Sequence, residues 1–400
     1  MTQYSNISSF HCSTKERTLD FELTQEQKEI QKTSREFIQR EFDKEKILEW
    51  EQTHTFPKEI WKKACELGFI GIHFPKEYGG RGAGVFENIL IVEEFCRGDS
   101  GVGVALSLAD FSSEVVLRFG TTDQKKKYLI PITKGEFISA GAYTEPDHGS
   151  DITRMFTTAL RQGDLFVING AKTFTTNGTI ADFFIVLCQT DPHAKPSYRG
   201  QSTFLVERET KGFTTTELGG KMGIRMTSTA QLSFNDVKVP MSHLLGEEGR
   251  GFYQVLGFFD ESRIEIAAQA LGIAQGAFDR ALDYAKKRMQ FGKRLADFQI
   301  TQHKLADMAT KIETTRLLTY KAAWNYDQKR SDPKLTSMAK MFGGKTAVEV
   351  TDEAVQILGG YGYLSEYEVE RFYRDAKITE IYEGTKEIQK NTIASALVGK

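Results

Sequence analysis

Three short segments carry side chains whose types and spacing suit joint chemistry. Tyr143-Thr-Glu-Pro-Asp-His-Gly-Ser-Asp151 follows directly on a β-rich run. Hydroxyls and backbone N–H groups at a strand end suit a flat polar ligand, and a glycine lets it come close. The same residue types also make an ordinary turn. Lys172-Thr-Phe-Thr-Thr-Asn-Gly178 sets Phe174 two positions before Thr176. Strand alternation puts that ring and that hydroxyl on one face, where one stacks and the other donates to the same heterocycle. Tyr382-Glu-Gly-Thr385 places a carboxylate between an apolar pair, Ile381-Tyr382, and a glycine. Desolvation of Glu383 there would raise its pKa toward the range of a working base; a solvated Glu at a helix start is the plainer alternative.

The elements that must position these segments fall into three runs. From about Leu23 to Lys127 the apolar spacing is helical, punctuated by Phe74-Pro-Lys-Glu-Tyr-Gly-Gly80. From about Phe137 to Val237 it is β-like, with runs at Phe137–Tyr143, Leu165–Ile168, Phe183–Leu187, Thr203–Val206 and Ala230–Phe234. No long helical pattern separates them, so a compact β unit is expected rather than βαβ repeats. After Gly251 the helical period returns, with stripes Ala267, Leu271, Ala274, Phe278, Leu282, Ala285 and Leu305, Met308, Ile312, Thr315, Leu318, Ala322. Asp332-Pro333 reads as an N-cap and first helical residue, and Gly359-Gly360 as the stop of that helix.

Composition removes several function classes. Lys plus Arg number 52 against 54 Asp plus Glu, a net charge of -2, which gives no excess to neutralise a phosphate backbone. The longest purely apolar run, Phe183 to Cys188, is far too short to span a bilayer. Cys12, Cys65, Cys96 and Cys188 are far apart, which argues against zinc and a disulfide framework and for a reducing compartment, the cytoplasm or, in a eukaryote, the mitochondrial matrix. The polar first twenty residues lack an apolar segment and read as a ragged terminus, with a short transit peptide as the alternative. Gly343-Gly-Lys-Thr346 lacks the strand and first glycine of a P-loop, and Gly101-Val-Gly103 lacks a third glycine. The seven histidines form no metal spacing and no serine-hydrolase motif occurs.

Taken in order, the segments resemble the acyl-CoA dehydrogenase family of flavoproteins, from about residue 20 to the C-terminus. The resemblance rests on Phe74–Gly80, Phe119-Gly-Thr-Thr-Asp-Gln-Lys125 with Lys126, the Thr144-Glu-Pro segment, Lys172–Asn177, Lys221-Met-Gly-Ile-Arg225, Arg288-Met-Gln-Phe-Gly292, Gln356-Ile-Leu-Gly-Gly360 and Tyr382–Thr385, all in family order. It implies an α+β, mostly α fold: an N-terminal helical domain (20–136), a middle β-barrel-like domain (137–245) and a C-terminal four-helix bundle (246–400). It also implies FAD between the last two. By the same resemblance Tyr143, Thr144 and Thr176 lie at the flavin, Phe174 stacks on it, and Thr385 meets the cofactor. Arg288, Gln290, Phe291, Gln299, Gln356 and Gly360 match positions holding FAD across a subunit boundary in a homotetramer. Ser150, Asp260 and Arg263 match substrate and CoA contacts.

The implied reaction is α,β-dehydrogenation of an acyl-CoA, with electrons passing to an electron-transfer flavoprotein. Glu383 would take the α-proton. Some relatives carry the base on the helix of Phe259-Asp-Glu-Ser-Arg263 instead. Here that position is Ser262, and Glu261 points about 100° away around a helix. Asp110, ending an apolar run, is either a pocket-floor contact or a solvated helix end. Phe174 replaces a common Trp, Thr175 a usual aliphatic residue, and Tyr143 and His148 are larger than usual, so an unusual acyl group fits the pattern. A carrier-protein-bound acyl group, or an oxidase using oxygen, is the alternative within the fold; a catalytically silent flavoprotein is the alternative outside it.

Overall fold

The computed structural model describes residues 21–399; the first twenty residues, which include Cys12 and the stretch read above as a terminus or transit peptide, lie outside them. The first helical run resolves into α1 (Gln25–Glu41), α2 (Lys44–Thr53), α3 (Lys58–Glu66), α4 (Val85–Gly98), α5 (Ser100–Ser107), α6 (Ser113–Phe119) and α7 (Thr122–Thr133). Side-chain caps set several starts: Thr24 and Thr121 each accept from the N–H three residues on, with a Gln answering from that position.

The β region contains β1 (Ser139–Ala142), β2 (Thr158–Gln162), β3 (Leu165–Thr176), β4 (Phe183–Gln189), β5 (Gln201–Glu207), β6 (Phe213–Glu217), β7 (Thr229–Pro240) and β8 (Leu244–Leu245). They form one mixed sheet in the order β6-β7-β3-β2-β4-β5-β8, with β1 pairing in parallel to β4. β4 is buried along its whole length, which explains its unbroken apolar sequence where edge strands alternate. β2 and β6, Thr- and Arg-containing and half exposed, carry no such apolar signal, and sequence spacing misses them.

The C-terminal run holds α8 (Gly251–Lys287), a small hairpin of β9 (Met289–Gln290) and β10 (Lys293–Arg294), α9 (Gln299–Asp327), α10 (Pro333–Leu358), α11 (Val369–Ala376) and α12 (Lys386–Val398). Asp332 caps α10, its side chain accepting from the Lys334 N–H, and Gly359 ends it at φ 64. Both limits match the sequence pattern.

Two apolar cores hold these parts together. One joins the N-terminal helices to the sheet; the other joins α4 and α5 to α8–α11. The N-terminal helices are therefore not a separate layer, because α4 lies directly on α8. The crossing is close. A Cβ on Gly272 would stand 2.3 Å from the Glu93 carbonyl oxygen, and one on Gly276 2.4 Å from that of Arg97. Buried ion pairs tie the parts further: Arg371 of α11 bonds Asp99 at 2.6 Å, and Lys172 of β3 bonds Glu145 at 2.9 Å. Gly272→Ala is expected to cost about 1–3 kcal/mol, since the obstructing atoms are backbone. Urea denaturation of the two proteins checks this, and equal midpoints would contradict it.

Candidate active site

The Glu383 loop lies between α11 and α12 and is fastened from three sides. Glu383 itself has φ 53 and Gly384 φ 90. A left-handed Glu costs of order 1–2 kcal/mol, so neighbours must enforce it. They do so through the carbonyls. Arg263 Nε (3.2 Å) and Gln389 Nε2 (3.0 Å) donate to the Glu383 oxygen. Lys340 Nζ (2.6 Å) and Gln389 Nε2 (3.0 Å) donate to that of Gly384. Thr385 then caps α12 by accepting from the Ile388 N–H. None of these contacts uses the Glu383 N–H.

The Glu383 carboxylate accepts a hydrogen bond of 2.5 Å from the Ser262 hydroxyl of α8. Burial is the largest influence on it and raises its pKa; Ser262, Arg263 and Lys340 pull the other way without cancelling that rise. Lys340, buried and facing the same loop, is pushed down to about 7 by loss of hydration. Glu261, the neighbouring acid on α8, is engaged elsewhere: Arg118 and the Tyr326 hydroxyl both donate to it. Of the two acids considered for the base, the structure leaves Glu383 unclaimed by any cation on its carboxylate oxygens among the described residues, and Glu261 claimed.

The Tyr143 segment sits at the end of β1. Its fixed point is Glu145, which sequence reading did not single out. Glu145 is buried, pairs with Lys172, and accepts from the Phe156 (2.7 Å) and Thr157 (2.9 Å) N–H groups. Burial favours its neutral form, but Lys172 and these donors outweigh that and hold its pKa below the ordinary value. Because Lys172 opens the second segment and Thr173 donates to the Thr144 carbonyl at 2.9 Å, the two segments are locked side by side. A Glu and a Lys inside two hydroxyl-rich β stretches were the available signal.

β3 does not alternate regularly here, because its register shifts between Lys172 and Thr175 and Phe174 has φ 53. The outcome is nonetheless an exposed ring (70%) at Phe174, a buried Thr175 and a half-buried Thr176. Tyr143 is buried, its ring 5.9 Å from Phe259 and 6.2 Å from Phe258. Ser150 is exposed on the loop beyond. Asp260 is half-buried on α8, and burial raises its pKa against Arg263 and Arg118. Arg263 lies over the Phe259 ring at 5.5 Å.

Asp110 corrects one reading. It is 8% exposed, not a solvated helix end, because the turn after α5 folds under the N-terminal helices instead of facing water. Burial, with nearby Glu114, pushes it up to about 7.

A second grouping lies at the far end of α8. Arg288, Gln290, Gly359, Gly360 and Tyr361 line a groove of about 440 Å³, with Arg288 over the Tyr361 ring at 5.5 Å. Phe291 is 94% exposed at its hairpin. Gln299 and Gln356 are exposed nearby in sequence but do not line the groove. The exposed rings at Phe174 and Phe291, beside hydroxyl and guanidinium donors, fit a large aromatic and phosphate-bearing cofactor. Among the described residues no cluster of His, Cys, Asp and Glu fits a metal ion, and no helix is long and apolar enough to cross a membrane.

Comparison with known proteins supplies the family. Residues 24–136, 140–237 and 249–398 match the acyl-CoA dehydrogenase N-terminal, middle and C-terminal domains in turn. The chain belongs to the acyl-CoA dehydrogenase family. It is thus an FAD-dependent oxidoreductase of the class acting on CH–CH bonds. It is 43% identical over 380 residues to a short-chain-specific acyl-CoA dehydrogenase of Clostridium acetobutylicum, covering 95% of this chain and 100% of that one. It is 40% identical to the caffeyl-CoA reductase-Etf complex subunit CarC of Acetobacterium woodii, covering 94% of this chain and 100% of that one. Its fold overlays butyryl-CoA dehydrogenase from Megasphaera elsdenii with a TM-score of 0.91 at 40% identity, covering 95% of this chain and 100% of that one.

A consequence for pH follows from the Ser262 contact. The hydroxyl stabilises the ionised carboxylate, so Ser262→Ala raises the Glu383 pKa further. A base works ionised, so the acid limb of kcat/KM should move to higher pH in S262A. An unmoved or lowered limb would contradict the assignment.

Proposed function

We propose that the chain catalyses α,β-dehydrogenation of an acyl-CoA thioester to the 2-enoyl-CoA, with Glu383 as the base. The observation that carries this reading is the half-buried Glu383 carboxylate, bonded to Ser262 and set in a backbone conformation that four hydrogen bonds from three side chains enforce. The α-proton of a thioester is weakly acidic, so removal needs both a base of raised pKa and a donor for the developing enolate oxygen. Glu383 supplies the base. Its backbone N–H, which closes no hydrogen bond among the described residues, is proposed as one oxyanion donor, and the fixed carbonyl contacts hold that N–H in place. When bound, FAD supplies the acceptor for the β-hydrogen leaving with its electron pair.

In the same reading Thr144 and Thr176 donate to the flavin, Tyr143 borders it and Phe174 lies against its ring system. Ser150, Asp260 and Arg263 receive the thioester and CoA. The groove at Arg288, Gln290 and Gly360, with Phe291, Gln299, Gln356 and Thr385, is proposed to hold the rest of FAD across a boundary between copies of a homotetramer. The three units are proposed to span 20–136, 137–245 and 246–400. The likeness to an Etf complex subunit supports an electron-transfer flavoprotein as the electron acceptor.

Glu383→Gln should keep the yellow colour and the affinity for thioesters, yet slow anaerobic flavin bleaching by about 10²–10⁴-fold. Stopped-flow absorbance with butyryl-CoA measures this. Bleaching at the unaltered rate would move the base to another acid. Bleaching only by carrier-protein thioesters, or rapid reoxidation by air, would replace the CoA dehydrogenase by the carrier-bound or oxidase version.

A further inference from the structure

From Glu261 to Ala277 α8 is almost wholly buried, yet its opening turns hold two large apolar side chains in solvent. Tyr253 is 38% exposed and Leu256 39%. With the half-buried Asp260 they fall within about 60° on one face of the helix. That face leads to the site. Tyr253 stands about 14 Å along the helix from Ser262, at about 1.5 Å per residue, and the Ser262 hydroxyl holds Glu383. An extended pantetheine arm covers that distance, so a thioester at Glu383 brings the nucleotide end of CoA to Tyr253.

Tyr253 is part of a corner of rings. Tyr198, from the loop between β4 and β5, stacks on Phe252 with centroids 4.7 Å apart and 29° between planes. Tyr253 meets both edge-on, 6.1 Å from Tyr198 and 5.7 Å from Phe252. Backbone contacts fix the corner. The Gly249 N–H donates to the Ser202 hydroxyl at 2.8 Å, and a Cβ on Gly251 would stand 2.5 Å from the Ser202 carbonyl carbon. Rings held this way lose little further freedom when a flat ligand settles on them.

Charge at the corner suits phosphate. The Arg250 guanidinium lies over the Tyr253 ring at 4.6 Å. Arg199 follows Tyr198 directly, and its carbonyl oxygen is 3.0 Å from where a Cβ on Gly249 would stand. Among the described residues neither guanidinium closes an ion pair, although Glu247 and Glu248 are exposed close by in sequence. The groove at Arg288 begins at the opposite end of this 37-residue helix, so the corner is a separate surface. A purine with phosphates attached matches both features, its base on the rings and its anionic oxygens on the guanidinium groups.

Resting on the acyl-CoA reading above, we propose that Tyr253 and its ring corner bind the adenine of CoA, with Arg250 and Arg199 receiving its phosphates. The subsite anchors the far end of the substrate. It also tells CoA from a carrier-bound arm, which ends on a protein side chain and bears no adenine.

The test compares butyryl-CoA with butyryl-pantetheine, which keeps the thioester and arm but lacks the adenosine and its phosphates. Bleaching kcat and KM are read with the FAD-loaded enzyme without oxygen. Calorimetric Kd values of free CoA and free pantetheine, which need no turnover, are read beside them. The native protein should favour the CoA compound by about tenfold or more in kcat/KM and in Kd. Tyr253→Leu and Arg250→Gln should each bring both ratios toward one, through a raised KM for butyryl-CoA, and Tyr253→Phe should retain them. A native ratio near one, ratios untouched by both Tyr253→Leu and Arg250→Gln, or losses shared equally by the two thioesters overturns the proposal. Should neither thioester bleach the flavin while the Kd ratios behave as stated, the dehydrogenase reading fails and the subsite stands.

Discussion

The site depends on partly desolvating one carboxylate without placing a cation on its oxygens. Glu383 meets a hydroxyl, Ser262, and the nearby charges of Arg263 and Lys340 are spent on backbone carbonyls of the loop instead. A guanidinium directly on the carboxylate would stabilise the ionised form and make it a poor base; burial with a single neutral donor raises the pKa instead. The same cations, aimed at carbonyls, hold the left-handed backbone that presents the side chain. Positioning and basicity are thus served by different atoms of one short loop.

That arrangement explains why the helices must pack as they do. Ser262 and Arg263 belong to α8, Lys340 to α10 and Gln389 to α12, so the loop is correct when all three helices are in register. The glycines of α8 at the α4 crossing set how deeply α8 sits, and thereby where Ser262 meets Glu383. The β segments are fixed independently, through the buried Lys172–Glu145 pair. Removing one partner of such a pair leaves an uncompensated charge, so it holds the two segments together stringently even if its net contribution is small.

Much of this was legible in the residues. The caps and glycine stop of α10 were readable because Asp-Pro and Gly-Gly act locally. The apolar run of β4 was readable because both its faces are buried. Glu383 stood out from its local sequence and its place in an ordered set of motifs. What sequence spacing missed depends on long-range folding. Asp110 reads as a solvated helix end until the N-terminal helices are seen to cover it. Glu145 looks like a turn residue until Lys172 is placed opposite. β2 and β6 carry too little apolar alternation to announce themselves.

The central claim, that Glu383 removes the α-proton, can be separated from all hydride chemistry. A thioester such as 3,3-dimethylbutyryl-CoA has α-hydrogens but no β-hydrogen to lose. Incubated with the FAD-loaded protein in D₂O and followed by proton NMR, it should exchange its α-hydrogens in the native protein and not in Glu383→Gln. Exchange that persists undiminished in the variant would contradict the account.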